Sequence, residues 1–191
     1  MRDVAKRWAR AVVALLLAAV VWGDAGEYQR AKQKLDNIER MPRGSQVTLT
    51  ASELNAYMLG EIPRVAGPGA VSNARLQLGD NSGVVQARVN FLRLQQNTGR
   101  RPGWLMRMML DGERDVAVAA HIRSSEGTAT VWVDRVDVSG VPVSGPALDF
   151  LMQVFIAPEF PYVKIGEPFP LRRGVERFEV RPQAVHVFLQ R

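Results

Sequence analysis

Apolar and polar positions along this chain follow three rhythms, and each predicts a different element. Residues 11–22 (AVVALLLAAVVW) carry no polar side chain, a run short of the roughly 20 residues that span a bilayer comfortably. Residues 27–40 then place Tyr28, Ala31, Leu35 and Ile38 at helical spacing among charged neighbours, which predicts a helix ended by Pro42 and Gly44. That helix reads as an exposed polar spacer over residues 26–44, or as a helix lying against the domain. From residue 46 the rhythm turns mainly to alternation.

Residues 46–49 are a short extended stretch. Thr50 followed by Glu53 is a reciprocal capping box, and it predicts a helix over 51–59 with Leu54, Tyr57 and Met58 on one side. Pro63 and the Gly-Pro-Gly at 67–69 are expected to close it. Two strands come next, 71–78 and 84–94, joined by Gly79-Asp80-Asn81-Ser82-Gly83. Leu76 and Leu78 alternate with Arg75 and Gln77, and Val85, Ala87, Val89 and Phe91 alternate with Gln86, Arg88 and Asn90. Each strand has one apolar and one polar face, the pattern of a half-covered antiparallel sheet. Further hairpins pair 115–123 with 128–138 across residues 124–127, and 175–181 with 184–189 around Pro182-Gln183. Pro158, Pro161, Pro168 and Pro170 mark a helix-free crossing between them.

The third rhythm is none at all. Residues 145–157 (GPALDFLMQVFIA) predict a helix whose core stripe is Ala147, Leu148, Leu151, Val154 and Phe155. Phe150, Met152 and Ile156 extend the apolar surface to the other side, with only Asp149 and Gln153 polar inside it. A helix apolar on all sides needs cover on all sides. A curved sheet wrapped around it would supply that cover, and incomplete closure would leave a tubular cavity for an acyl chain. A fully packed core helix is the other reading. Residues 100–110 (RRPGWLMRMML) set a tryptophan, three methionines and three arginines together between hairpins. Methionine adapts to irregular apolar shapes and Trp beside Arg suits a membrane interface, so the segment reads as a lid or membrane-touching tip, or as a short helix closing the core.

The expected fold is therefore α+β: a curved, mainly antiparallel β-sheet with two helices packed on it, preceded by an N-terminal signal or anchor helix. Its expected organisation is a leader or anchor over 1–25, the spacer over 26–44, and one domain over 45–191.

Composition narrows the chemistry. Among 191 residues there is no cysteine and there are two histidines, His121 and His186, which removes thiolate nucleophiles, disulfides and Cys- or His-rich metal sites. The net charge of +6 favours anionic partners such as phospholipid headgroups. Arg2, Lys6, Arg7 and Arg10 precede the apolar run, and Gly23, Asp24 and Ala25 succeed it with small residues, so cleavage would fall after Ala25 in a secretory leader. Alternatively residues 8–23 stay as an anchor, with Arg7 and Arg10 snorkelling and Trp8 and Trp22 at the interfaces. Both readings export the domain to a periplasmic or other extracytoplasmic space.

Catalytic patterns are weak. There is no G-x-S-x-G, and Ser144-Gly145 lacks the glycine two positions earlier. The carboxylates Asp111, Glu113 and Asp115, and Asp134 with Asp137, are the raw material for acid–base chemistry, but charged turn and strand residues are the commoner explanation. His121 on an alternating strand reads as structural. No P-loop, dinucleotide fingerprint or H-E-x-x-H helix is present, and no basic stripe suits nucleic acid. No enzyme, cofactor or metal is expected.

The order L-T-x-x-E-L-N-x-Y-M (residues 49–58), two amphipathic hairpins, D-R-V-D-V-S-G-V-P-V (134–143), an apolar helix, and P-F-P-L-R-R-G-V-E-R-F-E-V (168–180) resembles small exported bacterial envelope proteins with a TULIP-like, tubular lipid-binding domain, of the LmeA and YpmS type. The resemblance covers residues 47–190 and its motifs are structural. It implies a curved antiparallel sheet around a long helix and binding of a lipid acyl chain; no catalytic residue carries over.

On this reading Leu148, Leu151, Met152, Phe155 and Ile156 line the ligand, Trp104, Met108 and Met109 stand near its mouth, and Trp104, Arg100, Arg101 and Arg107 could meet a membrane surface. The rival expectation is an envelope scaffold that binds another protein by strand addition at a sheet edge or through the Trp/Met-rich loop. A hydrolase using acidic residues is the third.

Overall fold

Tight turns organise the strands. In the computed structural model, which describes residues 25–97, 112–151 and 164–191, Glu126 and Gly127 take φ of 50° and 74°, and Ser139 and Gly140 take 52° and 79°. Two consecutive positive φ values make a turn whose twist matches that of paired strands, so both sites close two-residue hairpins. They join β4 (Glu113–Ser125) to β5 (Thr128–Val138), and β5 to β6 (Val141–Val143). Asp80-Asn81 likewise joins β2 (Val71–Gly79) to β3 (Ser82–Asn90).

Two antiparallel sheets result. The larger runs β2-β3-β4-β5-β6, with the two-residue β7 (Phe169–Pro170) also paired to β5. The smaller runs β1-β9-β8, from β1 (Gln46–Thr50), β8 (Val175–Arg181) and β9 (Ala184–Leu189). The architecture is α+β, mostly antiparallel sheet with few helices.

The core lies between these sheets and two helices. Helix α1 (Ala25–Asn37), extended by a 3-10 turn (Ile38–Arg40), buries Ala31, Leu35 and Ile38. Helix α2 (Ala51–Val65) buries Leu54, Tyr57 and Met58 against them. The small sheet contributes Val47, Leu49, Val185, Val187 and Leu189, and the large sheet Leu76, Ala120, Ile122 and Ala129. The segment 26–44 is thus no exposed spacer but a wall of the core, because its apolar stripe is long enough to be worth burying. Tyr28 of α1 stacks on Tyr57 at 5.9 Å and donates its hydroxyl to Glu61 Oε1 at 2.9 Å.

One buried carboxylate locks α1, β1 and α2 together. Glu53, 3% exposed, accepts from the Thr50 backbone N–H at 2.9 Å while the Thr50 hydroxyl accepts from the Glu53 N–H at 3.2 Å. This is the predicted capping box. Lys34 Nζ adds an ion pair to Glu53 Oε1 at 2.7 Å and also donates to the Thr48 carbonyl at 2.9 Å.

The two sheets meet along a seam that is not an ordinary ladder. The Ser124 hydroxyl donates to the Phe178 carbonyl at 2.7 Å and accepts from the Phe178 N–H at 2.8 Å. On one side of it Gly127 N–H donates to the Glu176 carbonyl at 2.7 Å; on the other, Asn81 N–H donates to the Val180 carbonyl at 3.0 Å. A hydroxyl and two turn tips therefore satisfy the outer edge of β8.

Several expectations need correction. The second helix does not end near residue 59 but runs through Pro63 to Val65. A proline three residues from a helix end loses one hydrogen bond and leaves the final turn intact, with Ala66 N–H still reaching the Ile62 carbonyl at 2.8 Å. Strand β3 stops at Asn90 rather than residue 94, because the Asn90 side chain accepts from Arg93 N–H at 3.0 Å and starts α3 (Phe91–Asn97). The hairpin of residues 175–189 has the expected strands. Helix α4 covers Pro146–Leu151 of the expected 145–157; residues 152–157 lie outside the described residues. So do the segment 1–24 and the Trp/Met-rich segment 100–110. Among the described residues no helix is long and apolar enough to cross a membrane.

Candidate functional site

Residues directly opposite in an antiparallel pair project to the same side of the sheet, so the register defines two faces. On the inner face of the large sheet one row reads Leu76, Val85, Val118, Val136, Val143, and the next reads Ala87, Val116, Val138, Val141. A third contains Leu78, Gly83, Ala120 and Val133. The rows nearest the Ser124 seam carry Ile122 with Val131, and these pack on the core.

The valine rows run past that core. Strand β5 has 11 residues, whereas β9 in the small sheet has six. Val116, Val118, Val133, Val136, Val138 and Val143, all on this face, fall outside the cluster that joins the two sheets and helices, and they form a valine overhang. Val136 is buried; the others are half-buried. Val141, at the β6 edge, is 63% exposed. Valine suits a pleated face on propensity, but a polar residue would serve as well there if the face met only water.

Bulges shape this overhang. Between Ala119 and Ala120 the β4–β5 register slips by one, which leaves Asp134 as the extra residue on β5. A second irregularity sits between Ser72 and Arg75 on β2, where Asn73 takes φ of 50°. Each bulge bends its strand and sharpens the local twist.

The β5 bulge also builds the most polar cluster on the outer face. Asp134 Oδ1 accepts from His121 Nδ1 at 2.6 Å, the only role open to a ring nitrogen facing a carboxylate. His121 stacks on Trp132 with centroids 4.9 Å apart and planes 11° apart, and the Arg123 guanidinium lies 5.9 Å from the Trp132 ring. Both members of the ion pair are well exposed, at 40% and 47% of the side chain. Ser82 is the cross-strand neighbour of His121, but among the described residues no hydrogen bond joins them. Its Oγ is turned toward the turn, 2.5 Å from where a Cβ on Gly79 would stand. Among the described residues no nucleophile is hydrogen-bonded to the pair, and Asp134 orients the His121 ring and with it the stacked Trp132.

Of the remaining acidic candidates, Asp115 and Asp137 are paired with arginines, Glu113 is exposed, and Asp111 lies outside the described residues. Asp115 accepts from Arg88 Nε at 3.2 Å, and Asp137 accepts from Arg135 at 2.6 and 3.1 Å. The Asp137 hydrogen bond and charge raise the Arg135 pKa above its ordinary value. Among the described residues no three His, Asp or Glu side chains converge as metal ligands.

Of the expected ligand wall, Leu148 is half-buried on α4, which starts three residues after β6, and Leu151 is the last residue of that helix. Met152, Phe155, Ile156, Trp104, Met108 and Met109, and the cations Arg100, Arg101 and Arg107, lie outside the described residues. Residue-by-residue reading of the sequence passes over the inner valine rows as plain strand patterning. The signal is there in the run Val131, Val133, Val136, Val138, Val141 and Val143, whose apolar face continues further than the core needs. No family model, no curated protein and no solved structure matches this chain.

Proposed function

We propose that this chain is an exported envelope protein, not an enzyme, that holds a lipid acyl chain or another apolar ligand between its large sheet and the apolar segment 145–157. The observation that carries this reading is the overhang: six inner-face valines outside the main core cluster, with Val141 beside them at 63% exposure. An apolar patch extending past a finished core marks a binding surface more often than an accident of strand length. Segment 145–157 follows β6 after a single residue in sequence, and its excess of apolar side chains would supply the facing wall. Bulges such as those at Asp134 and Asn73 bend their strands, which favours the curved sheet that the TULIP-like resemblance of residues 47–190 implies. The leader-like residues 2–25 support export.

Strand addition at the β6 edge is disfavoured by Pro142, which offers no N–H to an incoming strand in the middle of a three-residue edge.

Solvent extraction of the purified protein, then mass spectrometry of the extract, tests the reading. Wild type is expected to yield a stoichiometric apolar compound, and the Val118→Asp, Val138→Asp double variant to yield none while keeping its secondary structure. An empty extract from wild type purified without detergent would count against it.

A further inference from the structure

Most cations of the described surface face a carboxylate. Arg64 pairs with Glu61, Arg88 with Asp115, Arg135 with Asp137, and Arg181 with Asp80. Among the described residues Arg75, Arg93 and Arg123 lack one, each on a different element, but one end of the molecule gathers four more. Three segments distant in sequence converge there. The loop after the 3-10 turn is held by Gly44 N–H on the Gln190 carbonyl at 2.9 Å, and Gln190 N–H in turn reaches the Gly174 carbonyl at 2.9 Å. Arg172 ties the same loops to α1, donating to the Leu35 carbonyl at 2.8 Å and to Glu39 Oε1 at 2.9 Å.

Arg40, Arg43, Arg173 and Arg191 all stand at this end. All four are exposed, and among the described residues none has a carboxylate side-chain partner. The acids nearby are few. Glu39 is engaged by Arg172, Glu176 has Arg177 within 3.9 Å, and Glu126 sits on the β4–β5 turn. Unpaired arginines massed on one end are electrostatically costly to a protein on its own, since like charges repel. They are matched by a surface that supplies many phosphates at once. Four guanidiniums carried on three separate segments suit an extended array of anions better than one small anion.

We infer that this arginine end docks on a bilayer surface rich in anionic phospholipid, each guanidinium pairing with headgroup phosphate. The site is distinct from the valine overhang and does not depend on an apolar ligand being held there. It does not include residues 100–107. Helix α1, 13 residues and so about 20 Å long, separates the arginine end from Ala25, where the basic and apolar N-terminal segment gives way to the domain. The two basic regions are therefore separable by mutation.

The test uses the full-length chain carrying R2Q, K6Q, R7Q and R10Q, so that any charge preference comes from the domain. Flotation is measured with phosphatidylcholine vesicles, with and without phosphatidylglycerol, at low and high salt. The expected result is tighter binding to the anionic vesicles that weakens with salt and is lost on adding R40Q, R43Q, R173Q and R191Q. At about fivefold for each arginine near an anionic surface, the loss should exceed tenfold. Circular dichroism of the second variant should be unchanged, since none of the four arginines holds a side-chain partner among the described residues. The inference is overturned if the first variant shows no phosphatidylglycerol preference, or if that preference survives the four domain substitutions. The latter includes the case in which those arginines matter only for retention on a soluble polyanion.

Discussion

Replacing Ser124 with alanine removes one oxygen and, on this structure, two hydrogen bonds across the seam between the sheets. The Ser124 hydroxyl is the partner of both the N–H and the carbonyl of Phe178, at 2.8 and 2.7 Å. Alanine leaves both backbone groups facing a methyl. An orphaned backbone group costs about 1–3 kcal/mol when buried. Ser124 and Phe178 are half-buried, so each group can recover part of its hydration, and the lower limit applies twice, for a loss of about 2 kcal/mol. The neighbouring seam bonds from Gly127 to Glu176 and from Asn81 to Val180 remain, which keeps the damage local. For a chain of this length about 2 kcal/mol lowers the melting temperature by roughly 4–8 °C. Urea unfolding monitored by circular dichroism, with matched slopes, measures it. Ser124→Thr keeps the hydroxyl and should sit close to wild type. Ser125→Ala, on the exposed neighbour, should stay within about 0.5 kcal/mol. If Ser124→Ala is no more harmful than Ser125→Ala, the seam is not held by that hydroxyl.

Three further substitutions probe other joints. Glu53→Ala removes the capping acceptor and strips Lys34 of its partner, so about 2–3 kcal/mol should be lost in the same urea assay, with Ser52→Ala as the mild control. Gly60→Ala would put a methyl 2.4 Å from the Tyr28 ring; despite alanine's better helix propensity, the displaced stack on Tyr57 should make the variant less stable by about 1–3 kcal/mol and shift the near-ultraviolet tyrosine signal. His121→Ala, by contrast, breaks only an exposed pair and a surface stack, so stability should fall by less than about 1 kcal/mol, while Trp132 fluorescence changes because its stacked neighbour is gone.

The elements that can be read from sequence are those whose cause is local. Residues 175–189 alternate cleanly about Pro182-Gln183, and the capping box at Thr50 and Glu53 is written in four consecutive residues. Boundaries fail where a local rule has a competitor. The alternation of Val85, Ala87 and Val89 points on to Phe91, yet the Asn90 side chain captures the Arg93 N–H and turns the strand into a helix. Strand β6 escapes the alternation pattern, although Ser139-Gly140, flanked by Val138 and Val141, is the dipeptide such a hairpin wants. What no local rule can show is anything assembled from distant segments. The Ser124–Phe178 seam joins residues 54 apart, and the arginine end gathers Arg40 with Arg173 and Arg191. The inner valine rows belong to a middle case, since each valine is visible but which of them the core cluster reaches is not.

Methyl-selective NMR with valine labelling and a spin-labelled fatty acid tests the proposed ligand site most directly. Binding should broaden the methyl signals of Val116, Val118, Val138 and Val143 on the overhang, while Val47, Val185 and Val187 in the closed core stay sharp. Broadening absent from the overhang, or spread evenly over both groups, would contradict the account.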